Sequence, residues 1–442
     1  MLFPKRKNKQ EGEIINIIKR KKEEFVGVID DSSSNYFLIT DDRKISFDIF
    51  MWPKTIKKEY LNKKVAVRVE GWDSKYRNPI GKVIQVIGQI DDHNTEINSI
   101  LYDYGFSPKF PDKVEKAANK ITEEISKEEV IKRLDIRKTT TFTIDPKDAK
   151  DFDDAVFCQP LEGGGWQLIV AIADVSHYVN VGSALDKEAF SRGNSVYFPN
   201  HVVPMLPEKL SNGLCSLNPA EDRFCMVCEM QISDKGLIEG YQFYEAVMHS
   251  HARMTYTQVA QIVSEQNQQE ESAVRQQFSA ILPQVDALQG LAQQLQKRRS
   301  QRGAIDFDTQ ETRILFDSKR KISQIIPVDR TDAHRLIEEC MLCANLCAAE
   351  FLQKSKLPAL YRVHEGPSEE RLISVRDFLG ELGIGLGGGD DPLPMHYRQV
   401  LNGVKHRDDA QIIQSVLLRS MSQAVYQCEN LGHFGLAFDA YT

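Results

Sequence analysis

The stretch TIDPKDAKDFDDAV, from Thr143 to Val156, places five aspartates within ten residues. They are Asp145, Asp148, Asp151, Asp153 and Asp154. Carboxylates this close repel one another, so the cluster is costly unless positive charge lies among them. Two interpretations follow: a solvated acidic loop, or a site for hard divalent cations.

The residues on either side of the cluster indicate a buried sheet. Residues 141–144 favour a strand that Pro146 would end, and AVF at 155–157 begins another. The apolar run WQLIVAIADVSHYV (166–179) is a candidate partner strand. The aspartates would then lie on a rigidly held loop, where dense oxygen ligands suit Mg²⁺, for which Mn²⁺ can substitute. The cluster contains no histidine, which argues against zinc.

Composition is that of an ordinary globular protein. The 442 residues are enough for two or three domains, with 41% hydrophobic and 27% charged residues. The sequence contains no run of eighteen apolar residues, so it predicts no membrane span. The basic N-terminus lacks the apolar segment of a secretory signal. Eight scattered cysteines suit a reducing compartment, so we expect a cytoplasmic protein.

Charge is distributed unevenly along the chain. The net charge is −7, yet residues 1–150 carry 30 Lys and Arg against 25 Asp and Glu, whereas residues 151–442 carry 26 against 38. A basic front joined to an acidic body is compatible with holding a polyanion at one end. Ordinary variation in composition would also produce it.

The first 90 residues predict a short basic arm followed by a small barrel. Residues 1–10 are basic and polar, and residues 11–90 contain five strand-like segments of the kind found in OB and cold-shock barrels. Aromatic residues lie there among lysines and arginines: Tyr36, Phe37, Phe47, Phe50 and Trp52. Such residues either stack on single-stranded bases or fill the barrel core.

Residues 91–138 predict a helical linker, with Asn94 or Thr95 as the cap of its first helix. The remaining residues, 139–442, form the domain that contains the acidic cluster. Its cysteines at 225 and 228 and at 340, 343 and 347 could suggest zinc, but their placement on strand and helix patterns favours core packing. The arginines of QKRRSQRG would either contact phosphate or end a solvated helix.

The acidic stretch resembles the signature of the ribonuclease II/ribonuclease R (RNB) family. Further blocks of that family follow in the expected order: WQLIVAIADVSHYV, GNSVYFPNHVVPMLPEKLSNGLCSLNP, HSHARMTYTQV, HRLIEECMLCANLCAAEFL, LYRVHEGP and LGHFGLAFDAYT. The resemblance implies a multidomain α+β protein. An OB/cold-shock barrel would precede an RNB catalytic domain of mixed sheet and helices.

The resemblance also implies an activity and residue roles. Members of this family degrade single-stranded RNA processively from a free 3′ end and release nucleoside 5′-monophosphates, as exoribonuclease II type hydrolases. The catalytic aspartates would be Asp145, Asp151, Asp153 and Asp154, with Asp145, Asp151 and Asp154 as metal ligands and Asp153 essential for cleavage but not for binding. RNA-binding residues would be Tyr197, Tyr256, Glu338 and Glu339. We expect a monomer that does not bind membranes.

The sequence departs from the family pattern at its end. In the family, a segment with an active-site arginine follows the position of Thr442, so we expect the C-terminal part of the catalytic domain to be missing. Two hypotheses therefore remain: an exoribonuclease, or an impaired fragment that binds RNA 3′ ends without cleaving them.

Overall fold

The computed structural model describes residues 12–13, 15–31, 35–72, 78–199, 201–264, 273–307, 311–318, 320–328 and 330–442. The basic arm predicted for residues 1–10 lies outside the described residues. In chain order the strands are β1 (Glu24–Asp30), β2 (Tyr36–Thr40), β3 (Ile49–Met51), β4 (Lys63–Gly71), β5 (Ile80–Gln89), β6 (Leu134–Asp135), β7 (Thr141–Asp145), β8 (Asp154–Pro160), β9 (Trp166–Ala173), β10 (Val196–Phe198), β11 (His201–Val203), β12 (Asp222–Ile232), β13 (Ile238–Thr255), β14 (Glu311–Phe316), β15 (Ile322–Val328), β16 (Tyr361–Val363) and β17 (Val425–Gln427). The helices are α1 (His93–Asp103), α2 (Asp112–Asn119), α3 (Lys127–Lys132), α4 (Val175–Tyr178), α5 (Ala184–Arg192), α6 (Tyr256–Ser264), α7 (Ala273–Gln277), α8 (Leu282–Arg302), α9 (Asp332–Lys354), α10 (Glu369–Glu381), α11 (Pro394–Val404) and α12 (Ala410–Ser420).

The chain divides into two compact units. The first combines the chain through Asp112 with residues 192–205 and 315–324. The second contains residues 113–191, 206–314 and 325–442. No helix in the described part of the chain is both long and apolar enough to span a bilayer.

The first unit contains the predicted barrel, closed in the order β1-β2-β3-β5-β4. Position 27 on β1 requires glycine, because a Cβ there would lie 2.0 Å from the carbonyl oxygen of Ile39 on β2. The five aromatics differ in burial. Tyr36 and Phe47 pack against the barrel core, whereas Trp52 is 41% exposed and forms an edge-to-face contact with Phe50.

Helix α1 packs on this barrel. The Tyr102 hydroxyl donates to the carboxylate of Glu24 on β1 at 2.7 Å. The side chain of Asp92 caps the helix by accepting from the amide of Thr95, so the predicted caps at Asn94 and Thr95 were wrong. Asp92 is the capping residue because its carboxylate accepts hydrogen bonds from both the amide and the hydroxyl of Thr95, whose side chain is buried.

A short hairpin, β10–β11, completes the described core of the first unit. Alternate residues of a strand point to opposite faces. Val196, Phe198 and Val203 therefore pack against Ile97 and Leu101 of α1. The other face carries Tyr197 opposite Val202, and both are exposed.

The second unit is built on a mixed sheet of order β12-β9-β8-β7-β13-β6. Strand β13 pairs antiparallel with β12 along its first part and parallel with β7 along its last part. Strand β7 is buried throughout, since β8 and β13 flank it and residues of α6, α8 and α9 cover the sheet. This confirms the predicted buried sheet, although the apolar run from 166 changes to helix α4 after Asp174 caps it.

The cysteines that lie on strand and helix patterns are buried, as predicted. Seven are buried and free, and only Cys428 is exposed. Along α9, the core includes Cys340, Cys343 and Cys347. Burial raises the pKa of the Cys343 thiol. A second cluster, centred on the fully buried Tyr397, holds α10, α11 and α12 together.

Candidate active site

The aspartate cluster lies where strands β7 and β8 meet the loop between them, residues 146–153, which we call the aspartate loop. Asp145 is the last residue of β7, and Asp154 is the first residue of β8. Because β7 and β8 are antiparallel neighbours, these two carboxylates lie at one end of the sheet. Asp151 and Asp153 belong to the loop itself.

Two side chains from distant segments fasten the aspartate loop. At its start, Nη2 of Arg253 donates to the carbonyl oxygens of Pro146 and Lys147, at 2.8 and 2.7 Å. Near its end, the fully buried Ser216 accepts from the amide of Phe152 and donates to the carbonyl of Lys150, both at 2.9 Å. The loop is therefore a rigid support for its carboxylates, as the sequence predicted.

The carboxylates of the cluster are electrostatically coupled. Burial raises the pKa of Asp145 to about 6; the nearby Thr143 hydroxyl and the charge of Arg253 oppose this rise, and the charges of Asp151 and Asp153 add to it. Burial likewise raises the pKa of Asp154 to about 6, with contributions from Asp145 and Asp153. The pKa of Asp153 is also raised by burial of its carboxyl, although much of the residue remains accessible. The site thus holds more negative charge than its surroundings neutralise.

One atom of the cluster lacks a partner. Oδ2 of Asp145 is buried and makes no hydrogen bond to any described residue. A buried carboxylate oxygen without a donor is unfavourable, and a bound cation would supply the missing interaction. Within the described ranges no three His, Cys, Asp or Glu side chains converge closely enough to hold an ion by themselves.

Asp148, the fifth aspartate, lies apart from this group. Its Oδ2 accepts from Arg313 at 2.5 Å, and both side chains are more than half exposed.

Tyr256 lies beside the aspartates. It is the first residue of α6, immediately after Thr255, which pairs with Asp145 across β13 and β7. Burial raises the pKa of Tyr256 to about 12, and the charges of Asp154 and Asp145 add to this rise. Its ring stacks on His334 at the start of α9, with centroids 4.0 Å apart.

Glu338 and Glu339, one to two turns further along α9, are held by arginines. Nη1 of Arg299 donates to Oε1 of Glu338 at 3.0 Å and to Oε1 of Glu339 at 3.2 Å. Arg330 also bonds Glu338. Glu339 is 5% exposed, and burial raises its pKa although Arg299 opposes the rise.

Tyr197 belongs to the first compact unit, unlike the other predicted site residues. Its ring is 64% exposed on the outer face of the β10–β11 hairpin. Arg192 fastens the base of this hairpin by donating to the carbonyls of Pro204 and Lys109. The structure thus presents Tyr197 on a braced support.

The predicted site residues did not include Arg253, Ser216, His334 or Arg299. Arg253 and His334 lie inside the blocks HSHARMTYTQV and HRLIEECMLCANLCAAEFL, which resemble the family. Their positions in these blocks did not predict a role for either side chain. Arg299 comes from QKRRSQRG, and its burial excludes the solvated helix end that was one of the two predictions for that segment. Its side chain is 13% exposed and bridges two glutamates.

Comparisons with known proteins agree with this architecture. The RNB domain matches residues 133–442, and the cold shock domain matches residues 37–111. Ribonuclease R of Vibrio cholerae is 45% identical over 436 residues, covering 99% of this chain and 52% of the relative. Ribonuclease R of Escherichia coli K12 is 44% identical, covering 99% of this chain and 53% of the relative. The chain therefore spans about half the length of the curated relatives it matches.

A solved structure is similar over almost the whole chain. Mycoplasma genitalium RNase R in complex with ribose methylated single-stranded RNA superposes with a TM-score of 0.90 at 31% identity, covering 99% of this chain and 68% of that chain. Together with the RNB match to residues 133–442, this similarity means that the chain belongs to the RNB family, the family of ribonuclease R.

Proposed function

We propose that this chain is a 3′→5′ exoribonuclease that hydrolyses single-stranded RNA to nucleoside 5′-monophosphates. The observation that carries the proposal is the group of coupled carboxylates at the end of β7 and β8, with raised pKa values and a braced loop. Groups with strongly perturbed pKa values cluster at functional sites, and this group occurs in a member of the RNB family.

A divalent metal ion fits the residues present. Asp145, Asp151 and Asp154 would hold it, and Mg²⁺ is the expected ion. The bare Oδ2 of Asp145 and the surplus negative charge both favour a cation there. Because no three such side chains converge among the described residues, one or two of these carboxylates would bind the ion directly, with water and substrate phosphate completing its ligands. When bound, such an ion supplies charge stabilisation at a phosphodiester and an activated water.

The protein residues would divide the remaining tasks. Asp153, the most exposed of the four aspartates, would face the scissile phosphate and be needed for cleavage but not for RNA binding. Tyr197 would stack on the 3′-terminal base, because an exposed ring on a braced hairpin is a suitable stacking platform. Tyr256 and either Glu338 or Glu339 would contact the terminal ribose through hydroxyl and carboxylate groups.

This assignment favours a cytoplasmic monomer that takes single-stranded RNA with a free 3′ end as its substrate. Exposed aromatics of the barrel, among them Trp52, would stack on bases of single-stranded RNA.

The test is Mg²⁺-dependent digestion of 5′-labelled single-stranded RNA by the chain and by an Asp153→Asn variant. We expect stepwise shortening from the 3′ end by the unmodified chain and none by D153N, with equal RNA binding by both. Asp148→Asn is the matched control, since it removes a carboxylate from the same loop that pairs outward with Arg313. RNA binding without shortening by the unmodified chain would refute the proposal and leave an RNA-binding role.

A further inference from the structure

Arg253 makes an unusual set of contacts for a residue on a sheet strand. A single nitrogen, Nη2, donates to two consecutive carbonyls, those of Pro146 and Lys147. The guanidinium carbon also lies 5.2 Å from the ring centroid of Phe152. One side chain therefore touches both the first residues and a late residue of the aspartate loop.

These contacts begin where the backbone pairing of the sheet stops. The parallel ladder between β13 and β7 runs from Thr141 to Asp145. Beyond Asp145 the chain leaves the sheet, and Pro146 has no amide hydrogen with which to continue the pairing. From this point the guanidinium of Arg253, rather than the backbone of β13, donates hydrogen bonds to the chain that follows Asp145. The direction in which the loop leaves Asp145 therefore depends on this side chain.

The second fastening is independent of the first. Ser216 holds Lys150 and Phe152, and the amide of Leu217 donates to the carbonyl of Phe152 at 2.8 Å. Between the two fastenings the backbone makes one internal turn, with the amide of Ala149 donating to Pro146. Removing Arg253 would therefore free the first half of the loop while Ser216 still anchors the second half.

We propose that Arg253 is a positioning residue of the active site, which sets the geometry of the aspartate loop through the Pro146 and Lys147 carbonyls without contacting RNA. The proposal rests on the function proposed above. Residues that orient metal-binding or reacting groups typically change metal affinity or activity by about 10–100-fold when they are lost. We expect an effect of this size on kcat and on the Mg²⁺ requirement.

Two variants and a matched control test this. Arg253→Met keeps the apolar stem over Phe152 but removes the donors, and Arg253→Lys keeps a donor that can serve both carbonyls from one nitrogen, as Nη2 does. Arg313→Met is the control, because Arg313 bonds the same loop through the exposed side chain of Asp148. The measurements are kcat and KM on labelled RNA, and the Mg²⁺ concentration that gives half of the metal-induced rise in Tm.

For R253M we expect kcat to fall and the half-saturating Mg²⁺ concentration to rise, each by about 10–100-fold, with KM for RNA unchanged. R253K should recover most of the loss, and R313M should behave as the unmodified chain. If R253M keeps both values, or if its defect lies in KM alone, Arg253 does not position the loop.

Chemical rescue gives a second readout. Arg253 lines an open cavity of about 770 Å³ together with Lys147 and Thr257, so a small cation can reach the space left by Arg253→Ala. Millimolar guanidinium should restore kcat to R253A and not to D153N, and failure to restore it would contradict the positioning role. Should R253A not fold, R253M decides the question.

The Mg²⁺ titration separates the two proposals. An unmodified chain that binds Mg²⁺ but does not shorten RNA would refute the proposed activity. The half-saturating Mg²⁺ concentrations of R253M and the unmodified chain would still show whether Arg253 organises the loop.

Discussion

The raised pKa values at the active site predict an unusual dependence of stability on pH in the metal-free protein. The pKa of Asp145 and that of Asp154 both rise from 3.8 to about 6 because of burial. The folded chain therefore holds these protons at pH values where the unfolded chain has released them. The contribution of these two carboxyls to stability is therefore highest below about pH 4, falls as the pH rises from about 4 to about 6, and stays low above that window.

The magnitude follows from the shift. One pKa unit corresponds to about 1.4 kcal/mol, so a shift of about two units makes ionised Asp145, which is 8% exposed, costly by at most about 3 kcal/mol. The two shifts share part of the same repulsion, so we assign about 3–4 kcal/mol to the pair rather than twice the single value. In a unit of this size that corresponds to a change in Tm of about 5–10 °C.

The assay is thermal unfolding of the EDTA-treated chain at about pH 4.5 and about pH 7.5, with and without Mg²⁺. The double variant Asp145→Asn, Asp154→Asn is the control for all other titrating groups. Relative to it, we expect the unmodified chain to lose stability at the higher pH and to regain it when Mg²⁺ is added. If the unmodified chain and the double variant show the same pH dependence, or if Mg²⁺ stabilises both equally, the cluster is not under electrostatic strain and our account of it is wrong.

Three further predictions concern individual side chains. Ser216→Ala leaves the buried amide of Phe152 without an acceptor and should lower the free energy of unfolding by about 1–3 kcal/mol, measured against the exposed Ser374→Ala; equal stability of both variants would show that water replaces Ser216. Tyr197→Ala should weaken the binding of single-stranded RNA, measured by fluorescence anisotropy, by about 1–3 kcal/mol, while Tyr197→Phe retains it; a Tyr197→Ala variant that binds normally would exclude base stacking there. Ellman's reagent should titrate only Cys428 in the native chain and all cysteines after denaturation, since burial raises the pKa of the other thiols for which a shift is resolved; rapid reaction of a second thiol would contradict the packing of the core.

Local patterns predicted much of the fold. The strands of the barrel follow from alternation of apolar and polar residues, and the aspartate loop follows from β-prone residues on both sides of Pro146. Both were confirmed. The cap of α1 was predicted wrongly because Asp92, Asn94 and Thr95 are all acceptable capping residues, and only the folded geometry selects Asp92.

The support of the site could not be predicted in this way. Arg253 reaches Pro146 across 107 residues of chain, and Ser216 reaches Lys150 across 66. Neither residue has a local signature, because an arginine or serine on a strand or turn is ordinarily exposed. Arg299 likewise resembled a solvated helix end, and its pairing with Glu338 and Glu339 depends on the packing of α8 against α9.

The parallel pairing of β7 with β13 has a consequence for how the protein is made. Strand β7 and the aspartate loop leave the ribosome well before β13, and contacts between such distant segments must wait for both. At about 5–20 residues per second, synthesis of the 107 residues between Pro146 and Arg253 takes roughly 5–20 s. During that interval the nascent chain carries its aspartates without the strand that orders them. The aspartate cluster therefore cannot take its final arrangement until the polypeptide has been translated well past it.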